Sequence, residues 1–159
     1  MLLDSELTCK IADFGLSRDM DGLEYYTLHR MAIPVRWSAP EVVNEHKFYK
    51  TSDVWSFGIL AMEIYTDGEE PYTGWANQRI CLEVSAGYRM PCPKGCPEPA
   101  YDALIRPCWA HDPTARPSFE DLAQRIVSVF PELAAVMRTS GSSSSNPVPV
   151  RRQVKCMNI

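Results

Sequence analysis

The 159-residue sequence lacks any apolar run long enough to cross a bilayer: the longest, residues 54–65, is broken by Ser56 and Glu63 and is about half the length a transmembrane helix needs. A transmembrane segment is therefore not expected. The opening Met1-Leu2-Leu3-Asp4 has neither a basic leader nor a long apolar stretch, so no signal peptide is expected and a reducing interior is the default. There is no basic surplus either. Sixteen Lys and Arg against 20 Asp and Glu give a net charge of −4, which excludes nucleic acid as a main partner on charge grounds. No internal repeat is apparent. Of the six cysteines, Cys92 and Cys96 with His111 nearby have no second cysteine pair to complete four zinc ligands at a recognisable spacing. What is present, 45 % hydrophobic and 23 % charged residues, is the composition of an ordinary globular chain long enough for one domain.

The charge is unevenly placed. No acid follows Glu132, and Arg138, Arg151, Arg152 and Lys155 make the end of the chain +4, leaving residues 1–132 at −8 with 12 bases and 20 acids. Residues 139–149 are rich in Ser and Pro and hold too little apolar mass to offset the entropy of ordering. Two regions are expected, a globular part over 1–133 and a flexible basic tail over 134–159.

Within the first region, residues 9–11 read as a short strand, with Leu2-Leu3 as its hairpin partner across Asp4-Ser5-Glu6. Residues 19–40 show neither helical nor strand period, and so long an irregular stretch in a compact domain points to function. Thr51-Ser52-Asp53 offers capping groups and a negative charge for a helix start, and the apolar series 54–65 behind it predicts a helix buried on nearly every side, ended by Asp67-Gly68. Ser118 and Asp121 resemble a capping box for a helix whose Phe119, Leu122, Ala123, Ile126, Val127 and Phe130 share one face and which Pro131 terminates.

The order of the short motifs is more specific than any one of them. Asp13-Phe14-Gly15 lies 26 residues before Ala39-Pro40-Glu41; behind these come Asp53-Val54-Trp55-Ser56-Phe57-Gly58, Pro71-Tyr72, and Cys108-Trp109 leading into Asp112-Pro113-Thr114-Ala115-Arg116-Pro117. Over about residues 1–133 this series resembles the C-terminal lobe of protein kinases. Pro34-Val35-Arg36-Trp37 resembles the substrate platform of the tyrosine kinases, where a proline ring suits packing against a tyrosine ring. The run from Gly87 to Pro93 with Cys96-Pro97 is similar to the Src-like cytoplasmic members. The implied fold is protein-kinase-like (α+β), with only the mainly α-helical C-terminal lobe present and a short β-hairpin at its start. Cytoplasmic location, or the cytoplasmic part of a membrane receptor, is implied with it.

The resemblance also implies roles. Asp13 would hold magnesium on the phosphates of ATP, Phe14 would pack beneath the site, and Gly15 would supply permissive backbone. Tyr25 and Tyr26 fall where the activation segment is phosphorylated, and Arg18 is placed to pair with the phosphate. Glu41 and Arg116 match an ion pair that ties the segment to the helices, and Asp53 matches an aspartate that accepts backbone N–H groups of the catalytic loop. Tyrosine-bearing protein substrates would be the partners.

Several parts of a complete kinase are absent from this sequence: the Gly-rich loop, the strand lysine, its helix glutamate, and any His-Arg-Asp. No complete catalytic set is present, and the chain alone is expected to be inactive. Met1-Leu2-Leu3-Asp4 matches the stretch just after the catalytic-loop asparagine, so Met1 is expected to be an internal methionine of a longer kinase whose missing N-terminal lobe is a partner. Large side chains on the 54–65 helix would then face water, each forgoing about 1.5–3 kcal/mol of burial, with poor solubility or chaperone association the expected result. Pro107 would kink or shorten the helical pattern at 101–109. A noncatalytic interaction module or truncated pseudokinase is the alternative. At the end, Cys156-Met157-Asn158-Ile159 puts a cysteine in the prenylation position, but Asn158 is not aliphatic and Ile159 is not a usual last residue, so a prenyl anchor is the weaker reading.

Overall fold

The computed structural model describes residues 2–5, 8–12, 24–27 and 32–133. The motif Asp13-Phe14-Gly15, Arg18, the expected tail over 134–159 and Cys156 lie outside the described residues.

The chain opens with β1 (Leu2–Leu3) antiparallel to β2 (Cys9–Lys10), pairing Leu2 with Lys10 and Leu3 with Cys9. Asp4 closes the turn: its N–H donates to the Thr8 carbonyl at 3.1 Å and its carboxylate accepts the Thr8 N–H at 2.8 Å. The second strand is one residue shorter than the pattern implied, and Ile11 is largely exposed.

The segment 19–40 is not wholly irregular. β3 (Tyr26–Thr27) pairs antiparallel with β4 (Lys47–Phe48), and a single 3-10 turn covers Val35–Trp37. Two residues are too few for an alternating pattern to register in a sequence, which is why periodicity missed this strand. Between the turn and β4 lies α1 (Pro40–Glu45), with Pro40 in its first turn, where a missing N–H costs nothing.

The central element is α2 (Lys50–Tyr65). It begins earlier than Thr51-Ser52-Asp53 suggested, with Tyr49 at the cap; Ser52, one turn in, accepts the Tyr49 N–H at 3.1 Å. At its other end Asp67 and Gly68 both adopt left-handed backbone, φ 54° and 84°, which stops the helix where the Asp-Gly pair predicted. The helix is not buried all round: Val54, Trp55, Ile59 and Met62 are in the core, but Ile64 is 65 % exposed. Leu60 and Ala61 are only half-buried.

α3 (Asn77–Ser85) packs on α1 and the 35–37 turn, the helical stretch starting at α4 (Glu98–Ala100) packs along α2, and α5 (Phe119–Val129) packs on that stretch. Past α4 the helix widens to one π turn over Tyr101–Ile105, then tightens to 3-10 over Arg106–Trp109. Pro107 accounts for this, since it cannot donate to a carbonyl one turn back; the Arg106 N–H reaches the Tyr101 carbonyl instead. α5 starts as its capping box requires, with Ser118 Oγ accepting the Asp121 N–H and the Asp121 carboxylate accepting the Ser118 N–H, both at 3.0 Å. On its expected apolar face Leu122 is buried, whereas Phe119, in the first turn, is 47 % exposed and meets Phe57 edge-on. No helix among the described residues is long and apolar enough to cross a membrane.

Candidate functional site

The Pro34-Val35-Arg36-Trp37 turn is fixed from within and from below. The Trp37 N–H donates to the Pro34 carbonyl at 3.1 Å, and Ser38 Oγ donates to the same carbonyl at 3.0 Å. Arg36 then pins the turn to the loop after α2: its guanidinium donates to the carbonyls of Pro71 (2.7 Å), Tyr72 (3.2 Å) and Trp75 (2.7 Å) and pairs with Glu70 at 3.1 Å. Trp37 completes the attachment, donating its indole N–H to Glu63 at 3.1 Å while its carbonyl accepts from Ser56 Oγ at 2.9 Å. Partial burial raises the pKa of Glu63, and the bond from Trp37 opposes that shift. Glu63 was not singled out as a site residue. The available signal was a single carboxylate in an otherwise apolar helical run.

Behind the turn, Glu41 and Arg116 meet in a buried bidentate pair, with Arg116 Nη1 2.7 Å from Glu41 Oε1 and Nη2 2.9 Å from Oε2. Ser52 Oγ donates to Glu41 at 2.9 Å, and Arg116 also donates to the carbonyls of Thr51 and Ala110, each at 3.0 Å. Four of the five N–H donors of this guanidinium are thereby used, which is how a buried charge is tolerated. Burial pushes the Glu41 pKa up, but Arg116, by hydrogen bond and by charge, brings the net value below the usual carboxylate range. Two cations approach the indole of Trp55, with the Arg116 guanidinium 5.1 Å and that of Arg89 4.7 Å from its ring. Arg89 is held by carbonyls of Val84, Tyr88 and Trp109. Sequence reasoning did not single out Arg89, Ser52 or the double cation contact on Trp55, because their partners are distant in the chain.

Asp53 stands apart from this network. Its carboxylate surface is exposed and has no hydrogen-bond partner among the described residues, yet the packed protein behind it desolvates the group enough to raise its pKa.

Tyr25 and Tyr26 are separated by the β3–β4 pairing. Tyr26 stacks on Phe48, its cross-strand partner, with ring centroids 4.9 Å apart, and is half-buried. Tyr25 is 39 % exposed, tilts against Tyr49 at 5.3 Å, and has Lys47 Nζ 5.4 Å from its ring. Lys47 also pairs with Glu45 at 2.8 Å.

Among the described residues no three His, Cys, Asp or Glu side chains converge as metal ligands, and Asp13 lies outside them. The described part of the molecule therefore contributes no magnesium ligand set of its own. The Cys92 thiol donates to the Cys96 carbonyl at 3.5 Å, and burial together with the neighbouring thiol pushes Cys96 up to about 11, which leaves it protonated at neutral pH.

The sequence of residues 1–126 matches a family model whose description is protein tyrosine and serine/threonine kinase. The matched span contains the 34–37 turn, the pair of Glu41 and Arg116, Asp53, and both tyrosines of the β3 region.

Proposed function

Because the chain belongs to the protein tyrosine and serine/threonine kinase family, we propose that it is the C-terminal part of a tyrosine-specific kinase domain, one that transfers the γ-phosphoryl group of ATP to protein tyrosines once an upstream N-terminal lobe completes it. The observation that carries this reading is the anchored 34–37 turn. Arg36 and Trp37 fix it to α2 and to the loop after it, which leaves the Pro34 ring as a rigid apolar surface beside which an acceptor tyrosine can lie.

In this reading magnesium, when bound, neutralises charge on the phosphates of ATP, and Asp13 is the residue of this chain that would hold it. Phe14 and Gly15 would shape the backbone and packing beside it. Glu41 and Arg116 hold the end of the activation segment on the helices. Asp53, without a partner among the described residues, would accept N–H groups of the catalytic loop, and that bonding would offset the desolvation that raises its pKa. Tyr25 or Tyr26 would take phosphate, with Arg18 as a partner. The chain alone is inactive because its sequence contains no His-Arg-Asp base and no strand lysine.

A phosphotransfer assay with tyrosine and serine peptides tests this, run on the chain as given and on one extended upstream in its reading frame. Tyrosine phosphorylation by the extended form alone is the expected result. Phosphorylation of serine in preference to tyrosine, or full activity of the short form, would overturn the reading.

A further inference from the structure

Cys92 and Cys96, both free thiols, flank a tight turn that the Cys96 N–H closes by donating to the Pro93 carbonyl at 3.1 Å. Gly95, third in that turn, takes φ 93°, which a residue with a Cβ rarely adopts. Pro91, Pro93 and Pro97 restrict the backbone on either side. The turn brings the Cys92 Sγ to 3.5 Å from the Cys96 carbonyl oxygen, an atom two bonds from the Cys96 Cα. A sulfur that near its neighbour's backbone is within the reach of a disulfide. The Cys96 sulfur lies 3.6 Å from the Pro97 carbonyl oxygen and interacts with both the Cys92 thiol and the Tyr65 hydroxyl.

The two thiols differ in access. Cys96 is buried, whereas Cys92 is half-buried and lines an open groove of about 280 Å³ between the end of α2 and the segment 88–93. Burial first, and then the Cys92 thiol, pushes Cys96 up to about 11, so Cys96 is a poor nucleophile until its neighbour has reacted. The chain is held on both sides of the pair. The Tyr101 hydroxyl donates to the Met90 carbonyl at 2.6 Å ahead of Cys92, and the Ala100 and Tyr101 N–H groups donate to the Pro97 carbonyl at 2.9 and 3.0 Å behind Cys96. Lys94 and Gly95, at the tip, are exposed, so the turn can tighten without disturbing the core. Among the described residues no third His, Cys, Asp or Glu joins the two thiols, which suits the pair to bonding with itself rather than to holding a metal ion.

We propose that Cys92 and Cys96 are a reversible oxidation site, joined as a disulfide when a small soluble disulfide such as glutathione disulfide acts on Cys92. The Cys92 thiolate attacks one sulfur of glutathione disulfide, whose S–S bond breaks, and one glutathione leaves as thiolate. The Cys96 thiol then gives its proton to solvent and attacks the Cys92 sulfur of the mixed disulfide; the second glutathione leaves as thiolate and takes up a proton. Two protein thiols are oxidised, and one glutathione disulfide is reduced to two glutathione molecules. The order follows from access: the thiol facing the groove meets the reagent, and the buried one resolves the adduct. This site uses none of the residues assigned to phosphoryl transfer and does not rest on the kinase reading.

Equilibrating the full chain in glutathione buffers of set ratio, quenching in acid, alkylating the remaining thiols and mapping tryptic peptides tests this. Trypsin cuts after Lys94 and so separates the two cysteines; a bridge appears as the peptide over 90–94 linked to the peptide that begins at Gly95, with fragmentation distinguishing Cys96 from Cys108 on the latter. The expected result is a bridge between Cys92 and Cys96 that dithiothreitol reverses. Its yield at a given buffer ratio should correspond to an equilibrium constant at least about tenfold higher in the folded chain than in the same chain in urea, where sequence proximity alone acts. Cys96→Ser should leave Cys92 as its glutathione adduct, and Cys92→Ser should leave Cys96 unmodified; far-UV circular dichroism checks that both variants keep the parent helicity. Equal bridging in the folded and unfolded chain, a parent in which Cys92 stays free or stops at the glutathione adduct, or glutathione on Cys96 in the Cys92→Ser variant would overturn the proposal.

Discussion

Two regions of this molecule hold aromatic rings in place by opposite means. Around Trp55 and Trp109 the rings are almost wholly enclosed, two guanidinium groups face Trp55, and the Gly58 backbone is pressed against the Trp109 indole. Both indole N–H groups are buried without a hydrogen-bond partner among the described residues, a cost of about 1–3 kcal/mol each that dense packing and the cation contacts offset. At the β3–β4 ribbon two residues pair per strand, the Tyr25 ring meets Tyr49 and Lys47, and the Tyr26 ring stacks on Phe48. The first arrangement is over-determined and has one low-energy state. The second is fixed by interactions worth about as much as thermal energy, or a little more, and a single added charge can reset it. The 34–37 turn is built on the first kind of support, and the candidate phosphate acceptors sit on the second.

The largest effect is expected where the enclosed region holds charge. Arg116→Ala leaves Glu41 buried without a cation and should lower stability by about 3–5 kcal/mol, read as a shift in the urea midpoint. The same pair sets an acid dependence. The folded-state pKa of Glu41 lies below its unfolded value of 4.5, so its contribution is complete above that value and is lost as pH falls through the folded value. Parent stability should therefore drop on acidification below about pH 4.5, and Arg116→Ala should flatten that drop. An unchanged midpoint in the variant would show that the two regions are not as different as their burial implies.

A steric change comes next. A Cβ at position 58 would stand 2.6 Å from Trp109 Nε1 and 2.9 Å from Cys108 Cβ, closer than packed atoms allow, so Gly58→Ala must move α2 or the Trp109 segment. The expected cost is about 1–3 kcal/mol, despite the better helix propensity of alanine. Stabilisation by this substitution would mean that the close contact relaxes freely, which would break the contrast with the ribbon.

How much of this was legible in the sequence follows from the range of the interactions. The start of α5 was readable because Ser118 and Asp121 are three residues apart and bond each other; the end of α2 was readable because Asp67 and Gly68 carry the left-handed backbone themselves. The π and 3-10 turns around Pro107 follow from one residue's missing N–H. Arg89 beneath Trp55, Glu63 under Trp37, and Tyr26 on Phe48 were not readable, since each joins residues 22 to 34 positions apart with no local pattern to mark them. The pair of Glu41 and Arg116, 75 positions apart, was named only through resemblance to a family, and no periodicity would have found it.

The smallest stability effects belong to the ribbon, and there the two tyrosines should part. Tyr26→Ala removes a stacked cross-strand pair and should cost about 0.5–1.5 kcal/mol, whereas Tyr25→Phe keeps the ring against Tyr49 and should change stability by less than about 0.5 kcal/mol. Modification should follow the opposite order. The exposed Tyr25 has Lys47 beside its ring, a cation able to exchange Glu45 for a phosphate, while Tyr26 must leave Phe48 before its hydroxyl can enter another enzyme's active site. Treating the chain with an active tyrosine kinase and mapping phosphate by tandem mass spectrometry should therefore show Tyr25 modified ahead of Tyr26. Lys47→Ala should speed removal of that phosphate by a phosphatase. Faster modification of Tyr26 would mean that its stacking on Phe48 opens readily in solution, and the ribbon would then be looser than even its two-residue pairing implies.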